Sequence, residues 1–177
     1  MYNKDNDMQF RPFSSASRIS SRARPLALAL CLAGLGACAT GGPQGTASTL
    51  AFDRQEALAS VNAFRSEHGL QPLALNARLT QVAEAQSVAM AARDRMDHNV
   101  AGALPARMRQ AGYAWSTTSE NIGRSYPDYA AAMAGWVRSP GHRANLLNRS
   151  VTEIGLGGAR DAAIGRNYWT QTFAAPK

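Results

Sequence analysis

The sequence predicts an α+β domain in which helices layer onto a small sheet. Apolar residues recur at helical spacing in segments that come before and between three short, late strand-like pieces. These segments do not alternate as repeated βαβ units, which sets aside a doubly wound parallel sheet. Nor is the composition that of a disordered chain: 45% of the 177 residues are hydrophobic and 18% charged, enough apolar material for one core.

Asp53 is placed to cap a helix over 54–68, with Glu56 three residues on as the partner of a capping box. Leu58, Val61, Phe64 and His68 form its apolar spacing, and Gly69 supplies the stop. Pro72 pushes the residue before it out of helix, so 70–73 reads as an extended link. Asn76 caps a second helix from Ala77 to about Met96, whose stripe is Leu79, Val82, Ala83, Gln86, Ala89 and Met90. A short helix over 104–110 ends at Gly112. Another starts at Pro127, a fitting first helical position, runs through Trp136 to Arg138, and breaks at Ser139-Pro140-Gly141. The strands are 120–123, 153–157 and 168–173, the last alternating Tyr/Thr/Thr against Trp/Gln/Phe.

The chain ahead of the domain reads as an address. Residues 1–24 are polar and basic, and 26–37 form an apolar run of about a dozen residues ending at Cys38. A basic stretch, a short apolar core and a small-residue end describe a secretory signal peptide over 1–37. The run falls short of the roughly 20 residues that a membrane-spanning helix needs. Leu35-Gly36-Ala37-Cys38 resembles the bacterial lipobox, which makes Cys38 the lipidation site and attaches the chain to a membrane. Ala39 in the next position favours the outer membrane in a Gram-negative cell. Residues 38–52, rich in Gly, Thr and Ser, read as a flexible tether, and 53–177 as the domain.

The formal net charge of +7 invites a nucleic-acid reading, but residues 1–37 supply +3 of it, five basic residues against two acids. The remaining 14 basic residues are spread singly among 10 acids, with no basic stripe interleaved with aromatics, so nucleic-acid binding is excluded. The two cysteines, Cys31 and Cys38, both precede the domain; a disulfide scaffold is excluded and the domain reads as a monomer held by packing.

Several motifs follow one another in order: Asn62-Ala-Phe-Arg65 with His68-Gly69-Leu70 and Pro72-Leu73; Met96-Asp97-His98-Asn99; Ser119-Glu120-Asn121-Ile122-Gly123; Trp136 through Pro140-Gly141-His142 to Asn148; Thr152-Glu153-Ile-Gly-Leu-Gly157; and Tyr168-Trp169-Thr170-Gln171. In this order and spacing the chain resembles the CAP superfamily (cysteine-rich secretory proteins, antigen 5 and pathogenesis-related 1 proteins), also called SCP domains. It is most similar to the disulfide-free bacterial lipoprotein branch. The resemblance implies an α-β-α sandwich with a three-stranded antiparallel sheet between helical layers. It also implies a cleft lined by two His and one or two Glu, matched here by His98, Glu120 and His142. The second Glu of animal and plant relatives falls at about Ser139, so that position departs from their tetrad; Glu153 is the nearest later acid.

The chemistry of these residues stays open between two uses. Two imidazoles and a carboxylate can bind a divalent cation such as zinc, with water completing the shell. They can equally support acid–base work, because imidazole titrates near neutrality. His98 and His142 stand 44 residues apart, so no local metal signature links them. His68 reads as a cap for helix-end carbonyls, Arg143 and Arg149 as partners of Glu153 across a loop, and the aromatics mostly as core. Ser119, Ser125 and Ser139 lack the Gly-x-Ser-x-Gly elbow, and no glycine-rich phosphate loop is present. The expectation is an exported, lipid-anchored binding protein of the cell envelope whose cleft takes a small ligand, a lipid, a cell-wall component or a divalent cation. The alternative is a hydrolase, peptidase-like or wall-degrading, with His98, Glu120 and His142 as its catalytic candidates.

Overall fold

The computed structural model describes residues 46–177. The leader over 1–37, Cys38 and the first part of the tether lie outside the described residues. The chain runs β1 (Ala47–Thr49), α1 (Arg54–Glu67), β2 (Ala74–Leu75), α2 (Ala77–Ala92), α3 (Leu104–Gln110), β3 (Trp115–Arg124), α4 (Tyr129–Arg138), α5 (Pro140–Leu146), β4 (Glu153–Asp161) and β5 (Asn167–Pro176). The expected helix caps form: Asp53 accepts from the Gln55 and Glu56 amides, and Asn76 from those of Arg78 and Leu79.

The three strands expected from alternation are the antiparallel centre of the sheet, in the order β4-β5-β3. Two short additions were not expected. β1 pairs antiparallel with one end of β4, and β2 pairs parallel with its other end, so together they cover the edge that β5 leaves open. β1 corrects the tether reading at its end: 47–49 is a strand, because pairing with Ala159, Arg160 and Asp161 supplies backbone partners that composition does not reveal. The break expected at Ser139-Pro140-Gly141 forms, and a further helix, α5, starts at Pro140, whose fixed φ and missing N–H suit the first helical turn. The helix before the break starts later than Pro127, at Tyr129, because the Asp128 side chain caps it.

Helices cover both faces of the sheet. Ile154, Leu156, Trp169 and Phe173 point to the layer of α1, α4 and α5, packing with Val61, Trp136 and Leu146. Alternate positions face α2: Tyr168 and Ile122 pack on Met90, and Ala174 packs with Leu79, Val82 and Met108. Arg65, wholly buried in α1, donates to the carbonyls of Gln71, Leu146 and Asn148 at 2.8–3.0 Å and so ties α1 to the end of α5.

α2 lies close on β4 because two glycines make room. A Cβ on Gly155 would sit 2.0 Å from the Leu79 carbonyl carbon, and one on Gly157 2.4 Å from that of Ala83. Glycines two apart on a strand meet residues four apart on a helix because the two rises nearly match, about 6 to 7 Å each. Gly155→Ala should therefore cost about 3 kcal/mol in urea unfolding, since backbone must move to admit a methyl group. Gly141→Ala, where no atom lies within 4 Å of the added Cβ, should be neutral or stabilise by about 0.5 kcal/mol.

Candidate functional site

β3 is the open edge of the sheet, and the candidate residues gather along it. Alternation along the strand puts Glu120 and Asn121 on opposite faces. Glu120 turns toward α2 and α3, and Asn121 toward α5. The edge itself is closed by side chains rather than by another strand. Asn145 Nδ2 donates to the Glu120 carbonyl at 3.2 Å, and Trp136 Nε1 to the Ile122 carbonyl at 3.0 Å. Asn121 Nδ2 in turn donates to the His142 carbonyl, and Asn145 to Asn121 Oδ1, so the first turns of α5 are sewn to β3.

The Glu120 carboxylate is 2% exposed and engages two partners. His98 Nδ1 lies 2.9 Å from Oε1, and Arg107 Nη2 lies 2.8 Å from Oε2. The second contact is an ion pair without a well-aligned hydrogen bond, and the same Nη2 donates to the His98 carbonyl at 3.1 Å. Arg107 also donates to the carbonyls of Gly102 and Val82. One buried guanidinium thus holds the carboxylate, the loop that carries His98 and α2 in a single arrangement. Arg107 was absent from the candidates read in the sequence; its one signal there is an arginine in the short helix 104–110, which amphipathic spacing alone assigns to the surface.

His98 is half-exposed, and its hydrogen bond to Glu120 raises its pKa above the ordinary histidine value against the opposing effect of burial. Burial lowers the pKa of His142, and the neighbouring charge of His98 lowers it further. With Nδ1 committed to Glu120, the Nε2 edge of His98 is the one left to meet a ligand. His142 lines a pocket of about 300 Å³ with Met96, Ile122, Arg124, Tyr126 and Trp136.

The structure therefore brings His98, Glu120 and His142 to one strand edge but does not gather Glu153. Glu153 accepts from Tyr113 Oη and Asn76 Nδ2, and none of its contacts is a candidate residue. The expected pairing of Arg143 with Glu153 is corrected too: Arg143 lies over the Phe64 ring and meets His68 Nε2 at 2.9 Å. Arg149 is exposed and makes no ion pair among the described residues. His68 Nδ1 contacts the Phe64 carbonyl at 2.8 Å, the helix-end contact expected of it. No three His, Cys, Asp or Glu side chains among the described residues are placed to share a metal ion. Glu120 faces His98 with one oxygen and Arg107 with the other.

Helical layers on both faces of an antiparallel centre, with two imidazoles and a buried glutamate at one sheet edge, define a CAP-type sandwich. The chain belongs to the cysteine-rich secretory protein (CAP) family, whose sequence model matches residues 58–173. It is 33% identical over 115 residues to the uncharacterized protein YkwD of Bacillus subtilis, covering 64% of this chain and 43% of that one. The uncharacterized membrane protein YlbC of the same organism matches at the same identity over 115 residues, 64% of this chain and 32% of the relative. The chain thus spans less than half the length of these curated relatives. An extracellular SCP-domain protein of Bacillus anthracis superposes with a TM-score of 0.62 at 32% identity, over 68% of this chain and 39% of that one. An outer surface protein of Borrelia burgdorferi shares the fold at a TM-score of 0.65 and 18% identity, over 75% of this chain and all of that one.

A raised folded-state pKa means that His98 contributes stability in full below its unfolded value, about 6.5, and loses it as pH rises through the folded value. His98→Ala should accordingly lower the urea midpoint more at about pH 5.5 than at about pH 8.5, with His142 left in place in both proteins. An equal loss at the two pH values would contradict the His98–Glu120 coupling.

Proposed function

We propose that this protein is an exported CAP-domain binding protein that holds a small ligand at the β3 edge, between His98 and His142. The observation that carries the reading is the fixing of His98. Its Nδ1 is tied to a carboxylate that is itself pinned by buried Arg107, which leaves one oriented nitrogen whose charge reaches His142, and His142 lines a pocket with Met96, Tyr126 and Trp136. A concave pocket whose exposed lining is mostly polar, with Met96, Tyr126 and Trp136 among its walls, suits a small organic ligand, a cell-wall fragment or a lipid headgroup with several hydrogen-bonding groups. A divalent cation would find two imidazoles and water, a weaker set than three protein ligands. Titration of the purified protein with a panel of envelope lipids and wall fragments should perturb the His98 and His142 NMR signals together, and His98→Ala/His142→Ala should weaken such binding at least tenfold. Ligands that bind the double variant as tightly as the parent would refute the site.

A second reading, an acid–base hydrolase of peptides or wall glycans, is favoured by the opposed shifts of the two histidines, one raised and one lowered. In that case a protonated His98 would donate to a leaving group and a neutral His142 would take a proton from water. Turnover that is lost in the double variant would support this reading, and turnover that survives would eliminate it.

Export and anchoring are supported by the leader and by the Leu35-Gly36-Ala37-Cys38 motif. They are also consistent with the extracellular protein of B. anthracis and the membrane protein of B. subtilis that the chain resembles. Cys38→Ser should move the protein from the membrane pellet to the soluble fraction of cells expressing it. A wild-type protein already soluble would overturn the anchor.

A further inference from the structure

A second pocket adjoins the one at His142. It measures about 390 Å³ and is lined by Pro127, Arg160, Ile164, Arg166 and Asn167, and the two pockets share Ser125 and Tyr126. The shared floor is held rigid. Ser125 has a φ of 69°, a left-handed conformation that a non-glycine residue keeps only when its surroundings impose it. Here the Ser125 amide donates to the Asn167 carbonyl at 2.8 Å, and Asn167 Nδ2 donates back to the carbonyls of Tyr126 and Pro127. The Tyr126 ring is slotted between two glycines: a Cβ on Gly123 would lie 3.2 Å from it and one on Gly135 2.2 Å from its hydroxyl.

The charged residues that line this floor, His142 aside, are all arginines. No Asp or Glu lines either pocket. Arg166 is matched by Asp94, which lies close by and also takes the Tyr168 hydroxyl. Arg124 and Arg160 are exposed and make no direct ion pair among the described residues, although the charge of Asp94 reaches Arg124 as well as Arg166. Arg160 lies across the β4–β5 turn, its Nη2 2.9 Å from where a Gly165 Cβ would be, and donates to Asn167 Oδ1 at 3.3 Å. The pocket between the starts of α1 and α4 has the opposite character, lined by Asp53, Glu56 and Asp128 with no cation. An anionic ligand would thus be repelled from one face and drawn to the other.

We propose that the two pockets form one groove that binds an extended anionic chain with repeated phosphate or carboxylate groups. The chain would run from Arg124 over the Ser125–Tyr126 saddle to Arg160. Two exposed guanidiniums at the two ends of a preformed floor match repeated anions better than a single one, and a rigid floor avoids an ordering cost on binding. The groove uses the His142 pocket as one half, but its far half, at Arg160, does not depend on the small-ligand reading.

The test uses the full chain and two labelled probes, inorganic polyphosphate and an oligogalacturonate, followed by fluorescence anisotropy at low ionic strength, with cosedimentation on vesicles containing phosphatidylglycerol as a third arm. At least one should bind, with affinity falling as salt is added. Arg124→Gln/Arg160→Gln should weaken binding about tenfold, the combined effect of two exposed charge contacts. The charge-matched pair Arg138→Gln/Arg149→Gln, exposed and outside the groove, should change it by less than about twofold. Which probe binds separates phosphate from carboxylate. Equal losses in the two pairs, no binding of either probe, or binding only to vesicles containing phosphatidylglycerol would each overturn the proposal. Arg160→Gln, which lies outside the His142 pocket, should weaken chain binding while leaving small-ligand binding unchanged, which separates the fate of the groove from that of the small-ligand site.

Discussion

The arrangement of the β3 edge depends on one buried charge pair. A glutamate carboxylate 2% exposed is costly to place unless a cation reaches it, and Arg107 is the cation that does. The same guanidinium donates to carbonyls in α2 and in the loop before α3. Removing water from Glu120 therefore commits α2, α3 and the loop of His98 to fixed places around the strand. His98 is oriented as a consequence: it meets a carboxylate that cannot move.

The other side of β3 is organised by backbone demand rather than by charge. An edge strand presents unpaired carbonyls, and here Asn145 and Trp136 satisfy those of Glu120 and Ile122. Because Asn145 belongs to α5, capping the strand also docks the helix that carries His142. Two separate requirements, pairing a buried charge and satisfying an edge, thus bring the two histidines to the same strand from opposite layers. Their different surroundings then give them opposite tendencies, His98 toward the protonated form and His142 toward the neutral one.

The close seat of α2 on β4 is the packing counterpart. Gly155 and Gly157 were legible as strand residues, but their purpose was not, because it lies in the carbonyls of Leu79 and Ala83 more than seventy residues away. Arg65 was hidden for a similar reason. A charged residue in a helix is read as surface, and only the carbonyls of Gln71, Leu146 and Asn148 explain its burial.

What the sequence determined by itself is the local framework and the family. Caps at Asp53 and Asn76, the helical stripes, the three central strands and the ordered motifs around His98, Glu120 and His142 all rest on contacts within a few residues or on residue identity. The tertiary structure decided everything that depends on distant partners. It turned 47–49 from tether into strand, made Pro140 a helix start, sent Glu153 to Tyr113 and Asn76, and paired Glu120 with Arg107. The physical reason is that a polar group's role is set by whichever partner satisfies it, and buried polar groups here find theirs across the fold rather than along the chain.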